Sequence, residues 1–199
     1  MKRTSYLLII LSIVLFSCNE RNDQNIISIF YYDTENIQDP IAREIFNEGI
    51  DLAKNKKYQK AQSKFEEANN IEPKNVIIVN SLGLVAQSIE NFDESEIRFK
   101  EALKIDSLFI NTYINYGTCL NTIEKYELAI EIMEHGRTKT NNPNNIALLC
   151  YNLAISYVNS GNCNKAKETI EIGVNKLTDN SMIREFKKFK REIIEICAE

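Results

Sequence analysis

Three glycines set the frame of this chain: Gly49, Gly83 and Gly117 stand 34 residues apart, and the pattern around them returns at Ala154 after a step of 37. Other positions keep the same step. Tyr58, Phe92 and Tyr126 form one series, Phe65, Phe99 and Met133 a second, Ala68, Ala102 and Gly136 a third. Ala61, Ser95 and Ala129 form a fourth, which Ala166 continues after 37. A period of this length marks an array in which one supersecondary unit cannot bury its own apolar face and stacked copies complete the core.

The residue types suit a pair of antiparallel helices in each copy. Two helices approach closely only where one of them presents a small side chain, so Gly49, Gly83, Gly117 and Ala154 mark the expected closest approach. Ala61, Ser95, Ala129 and Ala166 are expected to answer from the second helix, with the Phe or Met one turn later filling the space between successive pairs. Pro73 stops the second helix of the first copy, since proline cannot continue the backbone ladder. The helices read as 41–54, 58–70, 75–88, 92–104, 109–122, 126–139, 145–159 and 163–176. The linker NNPNN at 141–145 carries the three extra residues of the last step.

A further amphipathic segment starts near Ser181. Ile183, Phe186, Phe189, Ile193 and Ile196 fall at helical spacing, while Arg184, Lys187, Lys188, Lys190 and Arg191 point away, as in a helix that caps an exposed terminal repeat. The basic face suits solvent, or contact with an anionic membrane or partner.

These positions resemble the tetratricopeptide repeat, with a small residue at position 8, alanine at 20, a large apolar residue at 24, a small residue at 27 and proline at 32. The first copy carries Gly49, Ala61, Phe65, Ala68 and Pro73, with Ile45 where the family often has tryptophan. The second has Gly83, Ser95, Phe99 and Ala102, and Ser107 in place of proline. The third has Gly117, Ala129, Met133 and Gly136, with Pro143 displaced by two. The fourth, with Ala154, Tyr157, Ala166, Ile170 and Gly173, diverges most. The resemblance implies an all-α, right-handed α-solenoid of about four helix-turn-helix repeats (41–74, 75–108, 109–143 and 145–178, within 41–180) plus a C-terminal capping helix over 181–199.

It also implies an inner groove lined by the first helix of each pair, chiefly at positions 2, 5, 6, 9, 12 and 13. Counting from Ala42, Val76, Ile110 and Ala147, position 6 reads Asn47, Ser81, Asn115 and Asn152. A carboxamide both donates and accepts, so such a row can pair with an extended peptide backbone; an Asn-rich composition accounts for the same row. Phe46, Asn80 and Tyr151 join Asn47, Asn115 and Asn152 as groove candidates. Basic residues are scarce there, only Arg43 and Lys54 on the first helix, and Phe46 and Ile50 stand where relatives that clamp a carboxylate need basic residues. A neutral or apolar extended segment, or an inserted helix, suits this surface better.

At the N-terminus Lys2 and Arg3 precede an apolar run from Tyr6 to Phe16, then Ser17 and Cys18. The run is shorter than the about 20 residues of a spanning helix and has the marks of a secretion signal. Leu15, Phe16, Ser17 and Cys18 resemble the lipobox of bacterial lipoproteins, although Phe16 departs from the usual small or aliphatic residue. That resemblance implies a signal peptide over 1–17, acylation of Cys18 and a lipidated tether and N-terminal segment over 18–40; several acyl chains anchor without a protein span. An ordinary signal peptide with an incidental cysteine is the alternative. Asn19 is not the aspartate associated with inner-membrane retention, so the expected location is the cell envelope, at the outer membrane. The segment Ile26 to Asn36 is apolar, aromatic and without helical period, and either packs along the first pair or binds something.

Cleavage after Ser17 leaves 22 basic against 28 acidic side chains, a formal −6 with the signs interleaved, which argues against nucleic acid. Cys119, Cys150, Cys163 and Cys197 contain no CxxC pair, so no metal site is expected. An oxidising envelope permits a disulfide, but Cys119 and Cys150 lie in apolar helical stretches that suit small buried thiols; the pairing stays open. His135 is the sole histidine, at an outer helix end, and no catalytic or phosphate-cradling motif occurs. No enzyme and no cofactor is expected. The expected function is a lipid-anchored envelope scaffold that binds a protein or peptide partner in its groove, with a lipoprotein binding a glycan or small molecule as the alternative.

Overall fold

A computed structural model describes residues 34–178 and 180–198, the side chains of 180 and 181 excepted; the expected signal segment 1–17, Cys18 and most of the segment from Ile26 to Asn36 lie outside the described residues. Within them a 3-10 turn, Thr34–Asn36, leads into nine α-helices, and no strand occurs. They are α1 (Pro40–Lys54), α2 (Tyr58–Ile71), α3 (Val76–Ser88), α4 (Phe92–Ile105), α5 (Ile110–Thr122), α6 (Tyr126–Arg137), α7 (Pro143–Asn159), α8 (Cys163–Lys176) and α9 (Asn180–Ile196). The chain divides inside α4 into two compact units, residues 1–94 and 95–199.

Each first helix ends the same way. Lys56, Glu90, Glu124 and Gly161 all have positive φ, between 56° and 80°. The amide of the following residue donates back across the turn: Lys57 to Leu52 O at 2.9 Å, Asn91 to Ala86 O at 2.9 Å, Lys125 to Leu120 O at 2.9 Å and Asn162 to Tyr157 O at 2.7 Å. This is the Schellman closure, which uses a left-handed residue to satisfy carbonyls that a helix end leaves unpaired. Only the fourth copy supplies glycine, the residue that adopts this conformation without steric cost.

Acidic and amide side chains start three of the first helices. Asp39 Oδ1 accepts from the amides of Ile41 at 2.8 Å and Ala42 at 3.0 Å. Asn75 Oδ1 does so for Ile77 at 3.0 Å and Ile78 at 3.4 Å, and Asn142 Oδ1 for Asn144 at 3.0 Å and Asn145 at 3.1 Å. Here the sequence expectation needs correction: Pro143 does not close α6 but opens α7, at the first helical position where the missing N–H costs nothing, as Pro40 opens α1. Accordingly α7 begins two residues before the expected 145, and α6 stops at Arg137 instead of 139, where Thr138 Oγ1 donates to His135 O at 2.7 Å.

The packing inside a pair is also tighter than expected. A Cβ placed on Gly49 would sit 2.5 Å from the ring of Phe65, and one on Gly117 2.5 Å from Met133. The large residue of the second helix therefore also fills the notch left by glycine in its own pair, while Phe99 reaches the next pair as expected, its ring centroid 5.8 Å from that of Tyr116. An aromatic ring or thioether recovers more contact in that notch than Ala61 or Ala129 could. Phe65 and Phe46 pack with ring centroids 5.0 Å apart.

The ends of the first and fourth pairs are clasped by side chains. In the first unit Glu72 accepts from the Asp39 amide at 2.7 Å and from Asn75 Nδ2 at 2.6 Å, tying the exit of α2 to the entry of α1. Burial pushes the Glu72 carboxyl up, and these bonds outweigh it, so the group ends below its ordinary value. In the second unit Asn144 Oδ1 plays this part for α7 and α8, accepting from Thr178 N and Oγ1, both at 3.0 Å.

α9 packs on α8 and α7 with Phe186, Phe189 and Ile193 buried. Arg184, Lys187, Lys188 and Arg191 face solvent as expected; Lys190 does not, because it reaches Glu171 of α8 in an ion pair. The cysteine question resolves: Cys163 and Cys197 form a disulfide, with Cα atoms 5.4 Å apart, and Cys119 and Cys150 are free and buried.

Candidate functional site

The residues expected to line the inner face have separate fates. Asn47 is exposed, on a shallow open depression of α1 that it shares with Pro40, Arg43, Glu44, Glu48 and Asp51. Its neighbour Phe46 is fully buried against Phe65, so it belongs to the core of the first pair and not to an open face.

Asn80 and Asn115 are 0 % and 5 % exposed. Asn115, a member of the expected position-6 row, and Asn80, a separate groove candidate, are therefore interior. The reason lies in the helices that carry them: ten of the thirteen residues of α3 are buried, and α5 is packed by both α6 and α7. Ser81, which holds position 6 in the second copy, is buried as well.

Asn152 is half-buried and already engaged. Its Nδ2 donates to Leu148 O at 3.1 Å, and its Oδ1 accepts from Thr118 Oγ1 at 3.2 Å. A second link follows beside it: Asn121 Nδ2 donates to Asn152 O at 3.4 Å, and Ser156 Oγ to Asn121 Oδ1 at 2.8 Å. This polar seam between α5 and α7 was not anticipated. Its signal was present in the 34-residue step from Thr118 to Asn152, but a donor and an acceptor recurring in register read as composition until the helices are side by side. Satisfied buried networks of this kind fix a unique packing.

Tyr151 is half-buried: its ring stacks on Phe189 at 4.0 Å and meets Phe186 at 5.1 Å, so α9 of the same chain lies against this groove candidate.

The most strongly held charge lies on the outer helices. Glu96, at the start of α4, accepts from Lys100 at 2.5 Å and Lys125 at 3.0 Å. Those two ammonium groups, Lys100 first, hold its carboxyl down at about 2 against the opposing effect of burial. Burial pushes the Cys150 thiol up to about 11 and raises Cys119, whose sulfur lies 3.4 Å from Ser95 Oγ. Both are protonated, enclosed thiols, the inert kind. Among the described residues no group of three or more His, Cys, Asp or Glu could hold a metal ion, and no helix is long and apolar enough to cross a membrane.

Comparison with known proteins gives the fold and stops there. No protein-family model matches the chain. The RNA polymerase-associated protein CTR9 of Caenorhabditis elegans is 25% identical over 130 residues, 65% of this chain; the chain spans only 11% of that protein's length. Among solved structures, pilF of Pseudomonas aeruginosa superposes with a TM-score of 0.65 at 18% identity, covering 79% of this chain and 75% of that one. YrrB, described as a TPR protein with an unusual peptide-binding site, gives 0.59 at 19% identity over 74% of each chain. The paired helices and these likenesses define the architecture as a helical solenoid of repeats of the tetratricopeptide kind.

Proposed function

We propose that the chain is a non-enzymatic scaffold for protein–protein interaction, anchored in the cell envelope through lipid on Cys18, with a peptide or helix as its partner's docking element. The observation that carries this reading is how the residues repeated in register are used: Gly49, Phe65, Gly117, Met133 and Gly136 all serve packing, while Asn47, Glu44 and Glu48 of α1 stay exposed and can meet a partner. Stacked repeats build extended surfaces of this type. In the first unit that surface is the α1 face around Asn47, with Arg43, Glu44 and Glu48 beside it. YrrB's description as a peptide binder supports the same class of ligand.

The Cys163–Cys197 bond supports the envelope location, because such bonds persist in oxidising compartments and are rare where thiols are kept reduced. Two measurements test the reading together. Cys18→Ser should move the protein from the membrane fraction to the soluble one and abolish incorporation of labelled fatty acid. Arg43→Ala with Asn47→Ala should lose a partner that the parent captures from detergent-solubilised envelope, at unchanged helicity. Retention of the partner by that variant moves the contact away from α1, and a Cys18→Ser protein that stays in the membrane removes the anchor.

A further inference from the structure

The second helices of the first three copies begin with an aromatic residue, Tyr58, Phe92 and Tyr126, and the fourth begins at the same register with Cys163. Where the other copies place a ring, this copy places a sulfur, and that sulfur is bonded to Cys197 just beyond the end of α9.

Apart from that bond, α9 is held on α8 and α7 by the buried side chains of Phe186, Phe189 and Ile193, the first two against the Tyr151 ring, by an ion pair from Lys190 to Glu171 and by a bond from Lys167 Nζ to Cys197 O at 3.1 Å. Its opposite face is not built to receive another helix: Ala154, the small residue of α7, projects by 34 residues onto Lys188 and by 37 onto Arg191, both exposed. A helix packed on one side only is the kind of element that opens locally before the rest of a fold.

We propose that the Cys163–Cys197 disulfide is a latch: oxidised, it keeps α9 seated over Tyr151; reduced, it lets α9 leave and uncovers that face of α7 and α8. The occupant of the face is the chain's own helix, and the bond acts as its second tether beside the short link 177–179. The chemistry is thiol–disulfide exchange with a dithiol. One thiolate of the dithiol attacks either sulfur and expels the other as a thiolate. The second thiolate then resolves the mixed disulfide. Two electrons pass to the protein, Cys163 and Cys197 end as thiols after taking up two protons, and the dithiol ends as a disulfide. Both sulfurs belong to half-buried residues that a dithiol can reach, whereas Cys119 and Cys150 are fully enclosed, so exchange is confined to this one bond. The latch does not depend on the peptide-docking reading; only the use of the uncovered face does.

Hydrogen exchange followed by mass spectrometry on the full chain, oxidised and then treated with dithiothreitol, tests it. Amides of 183–196 should exchange roughly 10- to 100-fold faster after reduction, as loss of a tether favours local opening, while 110–137 stay unchanged. Cys163→Ser should show the fast exchange with and without reductant. Equal exchange of α9 in both states overturns the proposal, because packing alone would then hold the helix. Reduction that loosens α7 and α8 as much as α9 overturns it too, since the bond would then staple the whole unit. So does alkylation of Cys163 and Cys197 in the untreated chain.

Discussion

The first and fourth helix pairs start from one pattern and finish differently. In the first, α1 leaves Asn47 in solvent, and the pair is clasped by a carboxylate, Glu72. In the fourth, α7 has nine of its seventeen residues buried, Tyr151 lies under α9, Asn152 is bonded into a seam with α5, and the clasp is the neutral Asn144. The contrast teaches that a repeat's inner face is a vacancy only by default. Whatever element lies beside it, including a helix of the same chain, decides whether a side chain at a groove position is a binding residue or a core residue.

The sharpest way to break that contrast is truncation of one groove candidate from each pair. Tyr151→Ala should destabilise the chain by about 3 kcal/mol in denaturant unfolding, as a packed ring is lost from under Phe186 and Phe189, whereas Asn47→Ala should stay within about 0.5 kcal/mol. Equal effects would mean that α9 does not cover Tyr151.

The glycine notches come next. In Gly49→Ala the new methyl meets the stiff ring of Phe65, and overpacking outweighs the helix propensity gained, for a net loss of about 1–2 kcal/mol. Gly117→Ala meets Met133, whose flexible thioether yields, so its loss should be smaller by about 1 kcal/mol. A reversed order in the two unfolding midpoints would say that the notch, and not its occupant, sets the cost.

Acid separates the parts of the fold by charge. Glu96 titrates at about 2 in the folded chain, below its unfolded value, so its stabilisation is complete above about pH 5 and is lost as pH falls through 4 toward 2. With its side chain 18% exposed, about 1–2 kcal/mol is at stake. Glu96→Gln should remove that part of the acid sensitivity between pH 5 and pH 2.5. A variant as acid-sensitive as the parent assigns the effect to other carboxylates.

The smallest effect lies in the turns. Glu90→Gly should raise stability by about 0.5 kcal/mol by relieving a left-handed conformation that a side chain resists, and Gly161→Ala should lower it by about 1 kcal/mol. A gain from neither change would show that the Schellman turn, not the residue in it, sets the energy.

Much of this architecture was legible in one dimension. The 34-residue step places the helix pairs, and the apolar stripe of 183–196 places the terminal helix. These are properties of local backbone and of spacing, and a repeating core writes them into the chain once per copy. The left-handed turns at Lys56, Glu90 and Glu124 keep the same step, yet without glycine they carry no mark that a reader of residue types would recognise.

What the sequence by itself determined, then, is the period, the helices and the identity of the small and large residues that interlock. Tertiary structure alone decided that Phe46, Asn80 and Asn115 are interior, that Asn152 is engaged, and that Cys163 finds Cys197. The physical reason is that helical phase is set by residues within one turn, whereas burial, hydrogen-bond partnership and sulfur pairing depend on which surface arrives from another helix of the chain.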